Sequence, residues 1–165
     1  MSTGTYSDCT ITVTDTAGNV SSTLTLTSFS IVLKQMGGSI QSGSTLSLST
    51  TVTTLAGTGS SGSSNGTGTS ASFDLPVGIT TDGINLFVTD FRNCLIRQIV
   101  ISTGVVTTLA GTGSPGSANG TGTSASFNGP LGITTDGTNL YLSDWGNHLI
   151  RQIVISTGVV TTLAG

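Results

Sequence analysis

The residues of this chain best suited to chemistry are two pairs of opposite charges that recur at the same spacing. Asp90 precedes Arg97 by seven residues, and Asp144 precedes Arg151 by the same interval. A carboxylate beside a guanidinium forms a charge-assisted hydrogen bond that is stronger than a neutral one. We therefore predict a structural pair in each case, which fixes the loop between its two members. The alternative places the carboxylates on an exposed rim as calcium or ligand contacts.

The single histidine, His148, argues against a catalytic metal site. Catalytic zinc centres use about three protein ligands, usually rich in histidine, whereas this chain has one His and no Glu. We predict no metal, no cofactor and no catalytic residue. We expect the His148 imidazole to be partly buried and to fill a loop. Whether Cys9 and Cys94 are free or paired stays open, because spacing does not determine a disulfide.

Candidate binding residues lie near the same loops: Trp145, Phe91, Arg92 and His148. Trp145 directly follows Asp144, and an exposed aromatic side chain on a loop often serves recognition. Packing between neighbouring elements is the alternative role for these aromatic rings.

These residues sit in two copies of one unit, residues 58–111 and 112–165, which are identical at 42 of 54 positions. The phrase VTTLAG marks the period, since it recurs at Val52–Gly57, Val106–Gly111 and Val160–Gly165. Tandem copies at a fixed period are typical of solenoids and propellers. Function then belongs to the assembled array rather than to one unit.

The composition favours strands and tight turns throughout. Charged residues make up 7% of the chain, the net charge is −3, and Thr, Ser, Val, Ile and Gly dominate, a mixture typical of β-structure. So few basic residues argue against a nucleic-acid partner, because phosphate binding needs clustered Lys and Arg. No apolar run approaches the roughly 20 residues that cross a bilayer.

Each copy divides into four short strands joined by hairpins, with Asp136-Gly137 and Thr157-Gly158 as turns. Four such strands form a meander, which is one propeller blade. In the second copy the predicted strands are Leu131–Thr135, Asn139–Asp144, Leu149–Ser156 and Val159–Ala164.

A Ser/Gly/Thr-rich segment, Gly111–Ser126, separates the strands of the two copies and has the near-identical twin Gly57–Ser72. We predict an ordered excursion from blade to blade, in which Asn65-Gly66 and Asn119-Gly120 form turns.

Asn147-His148-Leu149 spells the tripeptide that names the NHL repeat. The surrounding sequence also resembles that family, from Phe127 and Pro130–Ile133 through Asn139–Asp144 and Ile150–Ile153 to Val160–Gly165. The first copy departs from the pattern, because it reads Asn93-Cys94-Leu95. The resemblance covers roughly residues 45–165 and implies a β-propeller parent with six or a similar number of blades.

The N-terminal stretch Tyr6–Asn19 resembles the last hairpin of a bacterial immunoglobulin-like surface domain. We therefore predict an all-β chain, a partial β-propeller of two complete four-stranded NHL-type blades plus part of a preceding blade. The predicted divisions are an Ig-like remnant at 1–37, an outer strand of a preceding blade at 38–57, and blades at 58–111 and 112–165.

The function expected from this organisation is a non-catalytic binding or scaffold module of an extracellular or surface bacterial NHL-repeat protein. Its partner would be a protein or a carbohydrate. Two blades cannot close a ring of about 4–8, so we expect either missing blades of the parent protein or self-assembly into a ring. We expect the chain to be a fragment whose export signal lies upstream. The alternative is a piece of a propeller enzyme, of the metal-dependent lyase or lactone hydrolase type, with its catalytic residues outside this chain.

Overall fold

The structure, a computed structural model, describes residues 9–11, 24–26 and 51–165. The chain divides into two compact units, Met1–Ser49 and Thr50–Gly165. In the first unit, β1 (Cys9–Ile11) and β2 (Leu24–Leu26) pair antiparallel, with Cys9 opposite Leu26. The other residues of the predicted Ig-like remnant lie outside the described residues, so its Ig-like character stays a prediction.

The first repeat folds into one antiparallel sheet, blade 1, because apolar runs alternate with glycine-containing turns such as Asp82-Gly83. Its central strands pair in register from Asn85 opposite Val100 to Asp90 opposite Leu95. The five strands lie in the spatial order β3-β7-β6-β5-β4. They are β3 (Gly66–Thr67), β4 (Pro76–Thr81), β5 (Asn85–Asp90), β6 (Leu95–Val100) and β7 (Val105–Ala110).

The second repeat forms blade 2 with the same topology, in the order β8-β12-β11-β10-β9. A 3-10 turn at Trp145–Asn147 joins its second and third long strands. The first long strand begins one residue earlier than predicted, at Pro130, and the third ends at Val154 rather than Ser156. The strands are β8 (Gly120–Thr121), β9 (Pro130–Thr135), β10 (Asn139–Asp144), β11 (Leu149–Val154) and β12 (Val159–Ala164).

Each blade has a short fifth strand at a position where the sequence predicted a turn. Gly66 and Thr67 pair with Val106 and Val105 at the outer edge of blade 1 instead of forming a turn at Asn65-Gly66. A side chain at Gly66 would place its Cβ 2.9 Å from the Ser70 backbone, so glycine permits the close approach of the following 3-10 turn, Gly68–Ser70. Asn119-Gly120 behaves in the same way in blade 2.

The main core lies between the blades. It combines the side of blade 1 that faces blade 2 with the side of blade 2 that faces blade 1. Its buried members are Phe87, Ile96 and Ala110 from blade 1 and Ala125, Phe127, Leu140, Leu142, Ile153 and Val160 from the second repeat. A smaller cluster of Ala71, Val88, Ile99 and Val106 covers the opposite side of blade 1.

The segment before blade 1 does not form the predicted outer strand where it is described. Thr51–Gly57 contains no strand and bends at Leu55-Ala56, although its twin Val106–Gly111 lies largely in β7. The twin pairs with β6, whereas no described strand pairs with residues 51–57. The end of the segment is nevertheless anchored as in the next repeat, because the Gly57 N–H donates to Gly68 O at 3.1 Å, as Gly111 N–H donates to Gly122 O at 3.1 Å. The rest of the predicted strand, residues 38–50, lies outside the described residues.

Thr50–Gly165 is therefore an all-β unit with the architecture of a partial β-propeller, two consecutive blades packed face to face. Its only described helices are 3-10 turns of three residues each. In the part of the chain that the structure describes, no helix is long and apolar enough to span a bilayer.

Candidate functional site

A buried arginine joins the strands of blade 1 to the excursion before it. Arg97 Nη1 donates to Asp90 Oδ2 at 2.9 Å and to Ser72 O at 3.0 Å. Its Nη2 donates to Ser64 O at 3.0 Å and to Asn65 Oδ1 at 2.9 Å. Both members of the ion pair are fully buried. The pair thus fastens the Ser/Gly/Thr segment to the sheet as well as closing the loop between its members.

Blade 2 contains the same arrangement. Arg151 Nη1 donates to Asp144 Oδ2 at 2.8 Å and to Ser126 O at 3.1 Å. Arg151 Nη2 donates to Ala118 O at 3.1 Å and to Asn119 Oδ1 at 2.9 Å. Both charged groups are again fully buried, so the structure places these carboxylates inside the blades and not on an exposed rim.

Each arginine also lies over an aromatic ring from the end of the excursion. The Arg97 guanidinium carbon is 5.1 Å from the Phe73 ring centroid, and that of Arg151 is 5.2 Å from the Phe127 ring centroid. A guanidinium at this distance is attracted by the negative face of the ring. The arginine Nε atoms are the two buried side-chain N or O atoms with no hydrogen-bond partner among the described residues.

The asparagine of the repeat tripeptide completes each network. Asn93 Nδ2 donates to Asp90 Oδ2 at 2.9 Å and to Gly62 O at 2.8 Å. Asn147 Nδ2 donates to Asp144 Oδ2 at 2.8 Å and to Gly116 O at 2.7 Å. This role was missed from the sequence, although the signal was present, because the asparagine recurs three residues after the aspartate in both copies.

Asn65 and Asn119 were also missed as members of the network, since Asn-Gly dipeptides indicate turns. Each of these amide oxygens accepts a hydrogen bond from an arginine 32 residues away, Asn65 from Arg97 and Asn119 from Arg151. The fixed spacing in both copies was the available signal, but only the folded chain shows which carbonyl oxygen the arginine reaches.

His148 and Cys94 occupy the same strained backbone position in the two blades. Their φ angles are 57° and 53°, in the left-handed region that non-glycine residues seldom adopt. Each N–H donates 3.2 Å to a carbonyl three residues back, His148 to Trp145 and Cys94 to Phe91. Cys94 is buried, but His148 is exposed, so the expectation of a partly buried imidazole was wrong. Blade 2 covers one side of blade 1. Among the described residues, no further blade covers the equivalent side of blade 2.

The two loop aromatics meet across the blade boundary. The ring centroids of Phe91 and Trp145 are 6.3 Å apart and their planes are tilted by 45°. Trp145 is 62% exposed. Together they border a groove of about 190 Å³, called here the aromatic groove, whose other walls are Arg92, Cys94, Pro115, Asn128 and Gly129.

A glycine allows the aromatic groove to form. Gly129 has φ 64°, and a Cβ there would lie 2.8 Å from the Phe91 ring. The Arg92 side chain is 64% exposed, and its Nη1 is 3.8 Å from Asp74 Oδ1. The structure thus brings Phe91, Arg92 and Trp145 together, while His148 does not line the groove.

The hairpin turns contain two carboxylates, the exposed Asp136 and the half-buried Asp82. Hydrogen bonds donated by the Asn139 and Thr138 N–H groups, then by the Asn139 amide and the Tyr141 hydroxyl, hold the pKa of Asp136 far below its usual range. The hydrogen bond to Asp136 raises the pKa of Tyr141. The pKa of Asp82 is also lowered, because slight desolvation is outweighed by hydrogen bonds from Asn85 and Ile84.

No group of three or more His, Cys, Asp or Glu side chains that could hold a metal occurs within the described ranges. Cys94 forms no disulfide there either, and the Cys9 side chain lies outside the described residues.

The fold and these networks define the chain as a blade-repeat protein, part of a β-propeller. The comparisons support NHL-type repeats: the chain is similar to NHL repeat-containing protein 2 from Gallus gallus, with 33% identity over 92 residues, which is 54% of this chain and 12% of that protein. The Homo sapiens protein of the same name is 35% identical over 99 residues, 57% of this chain and 14% of its own length. The chain therefore spans only about an eighth of the length of these relatives. No family model matches it.

A solved structure shares the fold. The crystal structure of a Bacteroides thetaiotaomicron protein proposed to be a phosphatase superposes with a TM-score of 0.53 at 20% identity. The match covers 68% of this chain and 26% of that one. At this identity the similarity concerns the fold alone.

Proposed function

We propose that this chain is a non-catalytic binding or scaffold module of an extracellular or surface bacterial NHL-repeat protein, and that its ligand contacts the aromatic groove. The ligand class is a protein or a carbohydrate. The observation that carries the proposal is the exposed Trp145 ring beside Phe91 at a groove that spans two blades. Large exposed aromatic rings beside an arginine are the groups that most often dominate binding energy at recognition surfaces.

The distribution of charge supports a binding role over a catalytic one. Asp90 and Asp144 form ion pairs inside buried networks. Asp82 and Asp136 accept hydrogen bonds within hairpin turns. At the aromatic groove the exposed charged side chain is Arg92, which lies 3.8 Å from the partly exposed Asp74 carboxylate. Its remaining N–H groups suit recognition of an acidic or hydroxyl-rich ligand. No described observation favours the alternative, a piece of a propeller enzyme, and that alternative places the catalytic residues outside this chain.

The extracellular or surface location rests on composition. A chain with 7% charged residues and abundant Ser, Thr and Gly is typical of exported repeat proteins. Cleavage of the protein by a protease added to intact cells would support this location, and complete protection until the cells are lysed would contradict it.

The binding role is tested with a glycan array and a panel of extracellular matrix proteins, probed with the wild type and Trp145→Ala. We expect at least one saturable interaction in the wild type and its loss in Trp145→Ala. The matched control is Ile84→Ala, because Ile84 is 70% exposed and lies in a hairpin turn away from the groove. Trp145 is the only tryptophan, so its fluorescence reports ligand contact directly.

Two outcomes would contradict the proposal. Binding that survives Trp145→Ala unchanged would place the ligand elsewhere on the chain. Conversion of a bound carbohydrate or lactone into products by the purified chain would contradict the non-catalytic role.

A further inference from the structure

Blade 1 contacts blade 2 where the Leu131 carbonyl oxygen lies close to Gly78 and to the Thr89 hydroxyl. Thr89 Oγ1 accepts a hydrogen bond from Gly78 N at 2.7 Å and donates to Leu131 O, on β9 of blade 2, at 2.6 Å. Any side chain at Gly78 would collide with that same Leu131 oxygen. A glycine and a neighbouring hydroxyl therefore let the first strand of one blade lie directly on the sheet of the blade before it.

Blade 2 presents the same groups on its opposite side, where no described residue covers them. Gly132 N donates to Ser143 Oγ at 3.0 Å, as Gly78 N does to Thr89. The space over Gly132 is open, because a Cβ there would meet only Ser143 Oγ, at 3.5 Å. Within residues 51–165 the Ser143 hydroxyl has no acceptor. It occupies the place from which Thr89 donates across the interface.

Apolar side chains surround this vacant position. Ile150 is 42% exposed, whereas Ile96, its counterpart in blade 1, is completely buried against blade 2. Tyr141 is half-buried where Phe87 is completely buried. We call this surface of blade 2 the back face, defined by Gly132, Tyr141, Ser143 and Ile150.

The complementary surface lies at the other end of the unit. Val77 and Ile79 on β4 are 56% and 61% exposed, although their counterparts Leu131 and Ile133 are partly buried at the blade boundary. They border an apolar hollow of about 240 Å³ together with Phe73, Val88 and Ile99. We call this surface the front face of blade 1, defined by the exposed Val77 and Ile79, the half-buried Phe73, and Val88 and Ile99, which are already buried at the floor of the hollow.

We propose that the front face of blade 1 in one copy of this chain docks on the back face of blade 2 in a second copy, repeating the internal interface. Ser143 of one copy then donates to the Val77 carbonyl of the other, as Thr89 donates to Leu131 within the chain. The second copy is the occupant because its front face differs from the front face already bound inside the chain only by Val77 for Leu131 and Val88 for Leu142 among the five defining positions. This docking is independent of ligand binding at the aromatic groove.

A contact between two different faces is heterologous, so it continues until a ring closes or a filament grows. Because residues 51–165 supply two blades and known propellers have about 4–8, a ring closed by this unit alone would contain about two to four copies.

Two segments compete for one place in this arrangement. Leu109-Ala110-Gly111 of blade 1 lies against blade 2, and the docked copies have two equivalents of it. These are Leu55–Gly57 of the copy that offers its front face and Leu163–Gly165 of the copy that offers its back face. One must move. Leu163 and Ala164 lie in β12, where Ala164 pairs with Ile150 of β11, whereas residues 55–57 belong to no strand, so Leu55–Gly57 is the segment displaced.

The test is sedimentation velocity of the full chain over a wide concentration range. We expect the wild type to assemble, and Ile79→Asp and Ile150→Asp each to weaken assembly at least about 100-fold, because docking would bury an unpaired carboxylate. The control is Ile84→Asp, which adds the same charge at an exposed turn position and should leave assembly unchanged. Circular dichroism verifies that each variant keeps its β-structure.

Mixing the two blocked variants gives the sharper readout. Ile79→Asp keeps a free back face and Ile150→Asp keeps a free front face, so an equimolar mixture should form a one-to-one dimer that grows no further. A monomeric wild type, a mixture that stays monomeric, or single variants that assemble as well as the wild type would each overturn the proposal.

Discussion

Blade 1 and blade 2 have the same residue at 42 of 54 positions, but identical residues are not equally buried in the two blades. Ile96 is completely buried, while Ile150 at the same position of the second repeat is 42% exposed. Ala110 is buried and Ala164 is exposed. The difference arises because blade 2 covers one side of blade 1, and no described residue covers that side of blade 2. Burial in a repeat protein is therefore set by the neighbouring unit as much as by the residue.

The buried polar network is the exception to this rule. Both ion pairs are fully buried in both blades, because their partners come from the same repeat and its own excursion. The interior of each blade is thus specified locally, whereas its two faces depend on what is stacked against them.

The largest effect is expected from removing an arginine. Arg97→Ala and Arg151→Ala should each lower the free energy of unfolding by about 3–5 kcal/mol, because each leaves an uncompensated buried carboxylate. The losses should be similar in the two blades, since the networks are equivalent. Urea unfolding monitored by circular dichroism measures them, with Arg92→Ala as the exposed control at about 1 kcal/mol or less. A loss no larger than that of the control would contradict a structural role for the pair.

The next effect separates the two blades directly. Ile96→Ala should cost about 2–5 kcal/mol, because it leaves a cavity in the core between the blades. Ile150→Ala should cost well under half as much in the monomer, because water can already reach the side chain. The unfolding free energies are compared at low protein concentration, where chains do not associate. Equal losses at the two positions would show that the back face of blade 2 is covered in solution.

A smaller, stabilising effect is expected at one position where the backbone is left-handed in both blades but the residue differs. Leu75 has φ 54° and its counterpart Gly129 has φ 64°. The left-handed conformation costs a non-glycine residue about 1–2 kcal/mol. The entropy of an unfolded glycine and the lost burial of the leucine side chain, which is 49% exposed, offset most of this gain, so Leu75→Gly should stabilise by well under about 1 kcal/mol.

The reverse exchange, Gly129→Leu, should destabilise, since the new Cβ would lie 2.8 Å from the Phe91 ring. Melting temperatures of both variants measure the pair of effects. The same sign in both would mean that the backbone at one of these positions relaxes.

The smallest effect concerns the pH dependence of the two hairpin turns. Asp136 accepts a hydrogen bond from the Tyr141 hydroxyl, and blade 1 has Phe87 in place of that tyrosine. The folded pKa of Asp136 lies below the usual value of about 3.9, so its stabilising contribution is complete above that value and is lost as the pH falls through the folded pKa. Tyr141→Phe should raise the pKa of Asp136 towards that of Asp82.

Carboxyl carbon shifts measured by NMR during an acid titration report both aspartates in one sample. Asp82 serves as the internal control and should not move on Tyr141→Phe. A pKa of Asp136 that stays unchanged in Tyr141→Phe would show that the hydrogen bonds from Asn139 and Thr138 alone account for its lowering.

Much of the fold could be predicted because the signals are local. Alternating apolar residues bounded by Asp-Gly and Thr-Gly turns located the four long strands of each blade to within two residues at their ends. The short strand at Gly66–Thr67 was not predicted, because a two-residue strand has no periodicity, and it forms only when the chain returns to pair with Val105 and Val106.

The candidate site was less accessible from the sequence. The Asp and Arg spacing indicated a pair, but the carbonyl groups of Ser64 and Ser72 reach Arg97 from more than 20 residues away. The sequence also placed His148 and Trp145 in one binding set. In the folded chain Trp145 lines the groove and His148 does not, although Cys94, the counterpart of His148 in blade 1, does.

The amino-acid sequence by itself determined the period, the β-class and the residues that each blade keeps for its own interior, because these depend on contacts within one repeat. Only the tertiary structure decided which faces are buried and where the groove lies, since those depend on stacking one blade on another. The same isoleucine is buried at position 96 and exposed at position 150 for that reason.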